Sequence, residues 1–199
     1  MARTASFNRS LTYAFSFGFL AGQGHGRMLG KLLRREGYVQ ARDLEQADII
    51  VAHSAGCWMI PLTAKPKLVI FIGMPLAQSS PSRTFVRANR QKMRSLMKSL
   101  QLTRASQLIF YSTYYGFTQI SRNRNIIRTA KHAQPVVIPT AKHIFIANRY
   151  DPWPHAKKLQ SYIDKYNWTF VSMPGVHDDI WQQSNRYMAI INYHARLLV

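Results

Sequence analysis

A single serine lies among small residues directly after an apolar run. Residues 49–52 are apolar and rich in branched side chains, which is typical of a strand buried on both faces. Ser54 follows, with Ala52 two residues before it and Gly56 two residues after it. A nucleophilic serine at the tip of a sharp strand-to-helix turn needs such neighbours, because its backbone is strained. The pattern predicts a nucleophile, although a turn that merely closes a buried strand can have the same composition.

A serine hydroxyl becomes an effective nucleophile when a base takes its proton and an acid orients that base. Both residue types follow Ser54, each just after an apolar run. Asp151 follows residues 144–147, and His177 follows residues 168–173. Where a sheet carries a nucleophile turn of this kind, the acid and then the histidine lie on loops after later strands. The order therefore predicts a triad, although Asp151 could instead cap a helix and the other two could be ordinary loop residues.

On these residues the chain resembles the α/β-hydrolase superfamily. In its short length it is similar to the compact serine hydrolases related to retinoblastoma-binding protein 9. The resemblance covers residues 52–56, 148–154 and 175–177, together with the alternation of strands and helices from about residue 11. It implies a serine hydrolase that cleaves an ester or thioester through an acyl-enzyme, without a metal or organic cofactor. Amide hydrolysis and transfer of the acyl group to an alcohol or amine use the same apparatus and stay open.

The resemblance also implies an oxyanion hole built from two backbone amides. One would be the amide of Ala55, the residue after the nucleophile. The other would be the amide of Phe19, or of Gly18 in its place, in the loop after the first strand. Arg3 and Arg9 followed by residues 11–21 could also pass for a secretory signal. We prefer a strand over residues 11–17 and a glycine-rich loop over residues 18–26, which lacks the lysine of phosphate-binding loops.

The rest of the chain must supply the elements that hold these residues. A length of 199 residues suits one domain, and we expect a single α/β-hydrolase-like domain over residues 1–199. Strands are predicted over residues 11–17, 49–52, 67–73, 144–147 and 168–173. Helices are predicted over residues 26–37, 58–63, 154–166 and 178–198. Alternation of this kind gives a mainly parallel sheet with helices on both faces.

Two helices carry more detailed predictions. The helix over residues 26–37 places Met28, Leu29, Leu32 and Leu33 on one face and ends at Gly37. The final helix begins with Asp178 and Asp179, whose carboxylates favour its exposed amides. Either could orient His177 instead of Asp151, but adjacent residues rarely reach back to a neighbour's ring. His53 is expected to line the core or a pocket.

Residues 75–139 form a basic, aromatic-rich segment between the predicted nucleophile and its acid. Helical periodicity runs over residues 85–102 and about 105–132, and the resemblance implies a lid-like insertion. Basic amphipathic helices can lie on an anionic membrane, and tyrosines among basic residues can stack on bases. A solvated face over a packed inner face explains the same pattern more simply. The substrate-binding residues are not identifiable here.

The net charge is +19, and no acidic residue lies between Asp48 and Asp151. Such a charge favours anionic partners, so the small acyl-ester or thioester substrate could itself be anionic. It also supports an alternative from another class, which is a non-catalytic protein on a hydrolase scaffold that binds nucleic acid or another polyanion. A generally basic proteome would explain the charge without any partner.

Composition excludes several other classes. The one cysteine, Cys57, excludes an internal disulfide and favours a reducing compartment, so we expect a cytoplasmic location. No apolar run approaches the length of a membrane span. The seven histidines are scattered without metal-ligand spacing, so no metal is expected.

Overall fold

The structure, a computed structural model, describes residues 10–18, 24–75, 136–151, 156–175, 180 and 182–198. These residues form a sheet of six strands in which every neighbouring pair is parallel. The strands are β1 (Thr12–Phe17), β2 (Val39–Gln40), β3 (Ile49–His53), β4 (Leu68–Ile72), β5 (Lys142–Asn148) and β6 (Thr169–Met173). Their order across the sheet is β2-β1-β3-β4-β5-β6. The predicted parallel α/β architecture is confirmed.

The central strands are the most apolar because both of their faces are covered. Every residue of β3 and β4 is buried. On one face, helices α1 (Gly24–Arg35) and α3 (Ser184–Arg196) bury Leu29, Leu33, Tyr187 and Ile191 against the sheet. On the other face, helix α2 (Ala156–Tyr166) and the chain after β3 form a second core, which includes Cys57, Leu159 and Trp168. The sheet is therefore a rigid platform whose strand ends can carry a site.

Helix α1 ends where the sequence predicts. Gly37 has a φ of 89°, a conformation that costs a glycine little. The amide of Tyr38 donates to the carbonyl of Leu33, and the amide of Gly37 donates to that of Arg34. This pair of bonds satisfies the last carbonyls of the helix. The predicted apolar face is partly wrong, since Met28 is 53% exposed while Leu29 and Leu33 are fully buried.

Two other helix predictions are wrong in position. Residues 58–63 do not form a helix; a 3₁₀ turn covers Ser54–Trp58 instead. Pro61 explains this, because it lacks an amide proton and disfavours helical backbone at the residue before it. The final helix begins at Ser184 rather than at residue 178, and its first turn contains no acidic residue; Asp178 and Asp179 themselves lie outside the described residues. The short edge strand β2 was not predicted.

Most of the basic insertion, residues 76–135, lies outside the described residues, so the lid and the two helices within it stay predictions. Within the described residues, no helix combines the length and the apolar character needed to cross a bilayer.

Candidate active site

The backbone of Ser54 has the strained conformation expected of a nucleophile turn. His53 ends β3 in extended conformation, with φ −124° and ψ 135°. Ser54 then turns into the left-handed region with a φ of 54°, and the 3₁₀ turn begins there. For a residue other than glycine this conformation costs about 1–3 kcal/mol, so the surrounding structure must hold it. The reversal places Ser54 at the carboxyl end of the central strand.

Gly56 is the contact that holds this turn against β1. A β-carbon on Gly56 would overlap the backbone carbonyl of Ser16, so only glycine fits. The Ser16 hydroxyl, which is buried, donates a hydrogen bond of 2.8 Å to the carbonyl of Gly56. On the other side of the serine, Ala52 is fully buried within β3. The small residues around Ser54 are therefore required by packing as well as by backbone strain.

The start of the predicted oxyanion loop lies directly beside Ala55. The amide of Gly18 donates to the carbonyl of His53 at 3.1 Å, which extends the β1–β3 pairing to the turn at Ser54. An ideal β-carbon on Gly18 would lie 2.8 Å from the amide nitrogen of Ala55. The chain therefore enters residue 19 next to the amide that is the other predicted donor. Phe19 itself lies outside the described residues.

The predicted acid lies on the loop after β5, two strands from the serine. Asp151 is half-buried, and its amide donates to the carbonyl of Asn148 at 2.9 Å. The amide of Arg149 donates to the carbonyl of Met173 at 2.7 Å, and that of Tyr150 donates to the carbonyl of Gly175 at 3.0 Å. These bonds tie the acid loop to the chain leaving β6.

The chain that leaves β6, to which the acid loop is hydrogen-bonded, continues in sequence to the predicted base. Gly175, with a φ of 137°, turns the chain after β6, and His177 comes two residues later. His177 lies outside the described residues, so no distance joins it to Ser54 or Asp151. Ser54 and Asp151 follow β3 and β5 at the carboxyl edge of one parallel sheet, and His177 comes four residues after the end of β6 in the sequence.

Asn148 and Tyr187 belong to the neighbourhood of the site, and sequence reasoning missed both. The hydroxyl of Tyr187, which is fully buried on α3, donates to Oδ1 of Asn148 at 2.9 Å. This bond links α3 to the end of β5, three residues before Asp151. A polar residue at the end of an apolar strand was the available signal for Asn148. Tyr187 has no local signal, because its partner is 39 residues away.

Two reactive residue types next to Ser54 are part of the core. His53 is fully buried, with its ring 6.4 Å from that of Phe17, in agreement with the prediction of a core residue. Cys57 is also fully buried, and burial raises the pKa of its thiol far above the ordinary value. Within the described segments, no three His, Cys, Asp or Glu side chains are grouped so that they could share a metal ion.

No protein-family model matches the chain. No curated protein matches it either. Solved structures do match over nearly its full length. An esterase from a marine microorganism has a TM-score of 0.59 at 12% identity, covering 93% of this chain and 95% of that one. Potato (Solanum tuberosum) epoxide hydrolase I has a TM-score of 0.59 at 14% identity, covering 94% and 93%. The thioesterase domain from the curacin biosynthetic pathway has a TM-score of 0.52 at 10% identity, covering 93% and 91%.

Identities this low establish the architecture and leave the chemistry open. The narrower similarity to hydrolases related to retinoblastoma-binding protein 9 stays a prediction. The parallel sheet, the strained serine after its central strand and the matched structures lead to one conclusion: this chain has the α/β-hydrolase fold.

Proposed function

We propose that the protein is a serine hydrolase that cleaves an ester or thioester through a Ser54–His177–Asp151 triad. The observation that carries the proposal is the φ of 54° at Ser54, held by the contact between Gly56 and Ser16. Strain of this kind persists only where the structure over-determines it, and it is typical of functional turns. A serine that merely closed a strand would relax into an ordinary turn.

The proposed mechanism uses side chains, backbone amides and water. His177 removes the proton of the Ser54 hydroxyl as its oxygen attacks the acyl carbonyl, and Asp151 stabilises the imidazolium. The amides of Ala55 and Phe19 stabilise the oxyanion. The tetrahedral intermediate collapses as His177 gives its proton to the departing alcohol or thiol. Water, deprotonated by His177, then attacks the acyl-enzyme, and its proton passes back to Ser54 as the acid is released.

Two observations support the proposed class of acyl substrate. Matched structures include proteins named as esterases and a thioesterase domain. The net charge of +19 favours an anionic substrate over a cationic one. An ester and a thioester with the same acyl group would separate the two reactions, because only the leaving group differs.

The test is covalent labelling with a fluorophosphonate probe, followed by intact mass and peptide mapping. Wild-type protein should take up one probe per chain at Ser54. Ser54→Ala and His177→Ala should each lose labelling, the first because the nucleophile is absent and the second because it is not activated. Asp151→Asn should slow labelling by roughly a hundredfold or more, because the imidazole tautomer is no longer held.

Ser172→Ala is the matched control, because this serine is exposed on β6 and distant in sequence from the turn. It should label at the wild-type rate. No labelling of folded wild-type protein, or labelling that survives Ser54→Ala, would overturn the proposal. The polyanion-binding protein expected as the alternative would then become the better interpretation.

A further inference from the structure

A groove with three arginines lies beside β1, and Ser54 and Asp151, the two described members of the proposed triad, do not line it. Its volume is about 840 Å³, within the range of about 300–1,000 Å³ common for small-molecule pockets. We call it the arginine groove. Its lining includes Phe15 and Phe17 of β1, Arg27 and Arg34 of α1, and Arg42, Asp43 and Glu45 of the chain after β2. It exists because β2 pairs only with Thr12 and Tyr13, which leaves the side of β1 beyond them uncovered by that strand.

Arg34 is fixed within the groove by neutral partners. Its Nη1 donates to the hydroxyl of Tyr13 and to Oε1 of Gln40, both at 3.1 Å. The Tyr13 hydroxyl in turn donates to the carbonyl of Gly30 at 3.1 Å. Arg34 folds back along α1 over residue 30, with Nη1 3.6 Å from the ideal β-carbon position of Gly30, which is an ordinary contact distance. The guanidinium is therefore pre-positioned while its charge is not neutralised by these bonds.

The other charges of the groove leave it receptive to an anion. Arg27 lies two helical turns before Arg34, about 10 Å along the same side of α1, and Arg42 lies in the chain after β2. Among the described residues, no carboxylate lies within 4.0 Å of any of the three guanidinium groups.

The two groove carboxylates are engaged elsewhere. Oδ1 of Asp43 accepts from the amide of Gln46, and Oε1 of Glu45 accepts from the hydroxyl of Thr63. Neither carboxylate therefore cancels the local positive charge by direct contact with an arginine.

Two aromatic side chains line the groove. The rings of Phe15 and Phe17 stack with centroids 5.1 Å apart, and both side chains are only half-buried. A flat ring system gains contact area on such a surface, whereas inorganic phosphate alone gains none. Planar, fork-shaped guanidinium groups bind phosphate oxygens in pairs.

We propose that the arginine groove binds a mononucleotide, with its phosphate held by Arg34 and Arg27 and its base against Phe15 and Phe17. This site is separate from Ser54, and the proposal does not require the hydrolase activity. A free nucleotide and one nucleotide of a single strand present the same phosphate and base, so the test includes both.

The test is titration calorimetry with adenosine 5′-monophosphate, adenosine, inorganic phosphate and an eight-nucleotide single strand. Arg34→Gln and Arg27→Gln should each weaken nucleotide binding by roughly tenfold or more, the usual effect of losing a charge-assisted hydrogen bond. Arg35→Gln is the matched control, because it removes the same charge from the same helix but does not line the groove. It should change affinity by less than about twofold. Arg27 makes no bond to Tyr13, so its variant answers the question if Arg34→Gln unfolds.

Each result of this experiment either supports the proposal or overturns it. Nucleotide binding that is lost in Arg34→Gln and Arg27→Gln but kept in Arg35→Gln and Ser54→Ala supports the proposal. Tighter binding of the strand than of the monophosphate, with the same variant pattern, identifies nucleic acid as the source. Equal losses in all three arginine variants, adenosine binding as tightly as its monophosphate, or no binding at millimolar nucleotide would each overturn it.

Discussion

At the scale of single residues, the turn at Ser54 depends on the absence of a side chain at residue 56. The carbonyl of Ser16 occupies the position where a side chain of residue 56 would begin. The spacing of Ala52, Ser54 and Gly56 was visible in the sequence because it reflects this local crowding. The role of Ser16 was not visible, because it depends on β1 pairing with a strand more than thirty residues later.

Gly56→Ala should therefore damage both stability and the proposed activity. We expect a loss of about 3 kcal/mol or more in the free energy of unfolding, since the new methyl must push β1 and the turn apart. Labelling of Ser54 by the fluorophosphonate probe should fall in the protein that still folds. Urea unfolding and labelling rates measure the two effects.

Gly37→Ala supplies the control for backbone strain. Gly37 also has a positive φ, but no atom lies within 4 Å of its ideal β-carbon position. This variant should lose about 1 kcal/mol from strain alone and keep labelling. If Gly56→Ala cost no more than Gly37→Ala, the packing explanation of the turn would be wrong.

At the scale of elements, buried apolar strands were predicted well, whereas short exposed strands and segments interrupted by proline were not. Strands β3 and β4 are buried along their whole length, so their composition alone identifies them. Strand β2 consists of Val39 and Gln40, both exposed, and carries no such signal. Helix α1 meets the aromatic residues of β1 through Gly26 and Gly30 rather than through Met28, and a search for apolar side chains overlooks glycine faces.

His143 on β5 makes the α2 side of the sheet sensitive to pH. Its ring packs beside those of Phe71 and Trp168, with centroid distances of 5.8 and 5.4 Å, and its Nε2 accepts from the amide of Ile138. Burial lowers the pKa of His143 to about 4, against a smaller opposing effect of a hydrogen bond with the Ala141 backbone. The neutral ring is therefore the form that the folded protein holds.

Stability should fall as the pH drops from about 6.5 to about 4. In this window the unfolded chain takes up a proton at residue 143 and the folded chain does not, so protons favour unfolding, by about 2–3 kcal/mol at the lower end. Urea unfolding from pH 7 to pH 4 measures the slope. Burial also lowers the pKa of His194, with a smaller contribution from Lys142, so wild type alone cannot isolate His143.

His143→Gln isolates that contribution. The glutamine oxygen can still accept from Ile138 but does not titrate in this range. Its overall stability should be lower because the ring stack is lost, while the dependence on pH should become shallower than in wild type. Identical slopes in the two proteins would contradict the assigned pKa of His143.

At the scale of the whole molecule, charge is the feature that composition reveals and the fold does not explain. The chain carries 27 Lys and Arg against 8 Asp and Glu. Among the described residues, Lys67 and Asp48 form the single ion pair whose charged atoms lie within 4.0 Å of each other. Burial acts to raise the pKa of Asp48, but the hydrogen bonds from Thr12 and the charge of Lys67 together outweigh it and lower that pKa. Most cations in the described part therefore have no carboxylate within 4.0 Å, and at a net charge of +19 repulsion between like charges exceeds attraction.

Added salt should stabilise the protein by screening this repulsion. Raising sodium chloride from about 20 mM to about 300 mM should raise the melting temperature by roughly 2–4 °C, which corresponds to about 1 kcal/mol for a chain of this size. Differential scanning calorimetry measures the shift, and an uncharged sugar at equal osmolality is the control. A lower melting temperature in salt would mean that favourable ion pairs dominate instead.

The strand order has a consequence for how the protein is made. From β4 onwards, each strand pairs with the strand that precedes it in the chain, so this part of the sheet can grow in the order in which the ribosome releases it. The proposed nucleophile emerges early, in the first third of the chain, next to a β1 that is already available. The proposed acid and the proposed base come later in the sequence, after β5 and after β6. On this pathway the turn at Ser54 forms before the proposed acid and the proposed base have been synthesised.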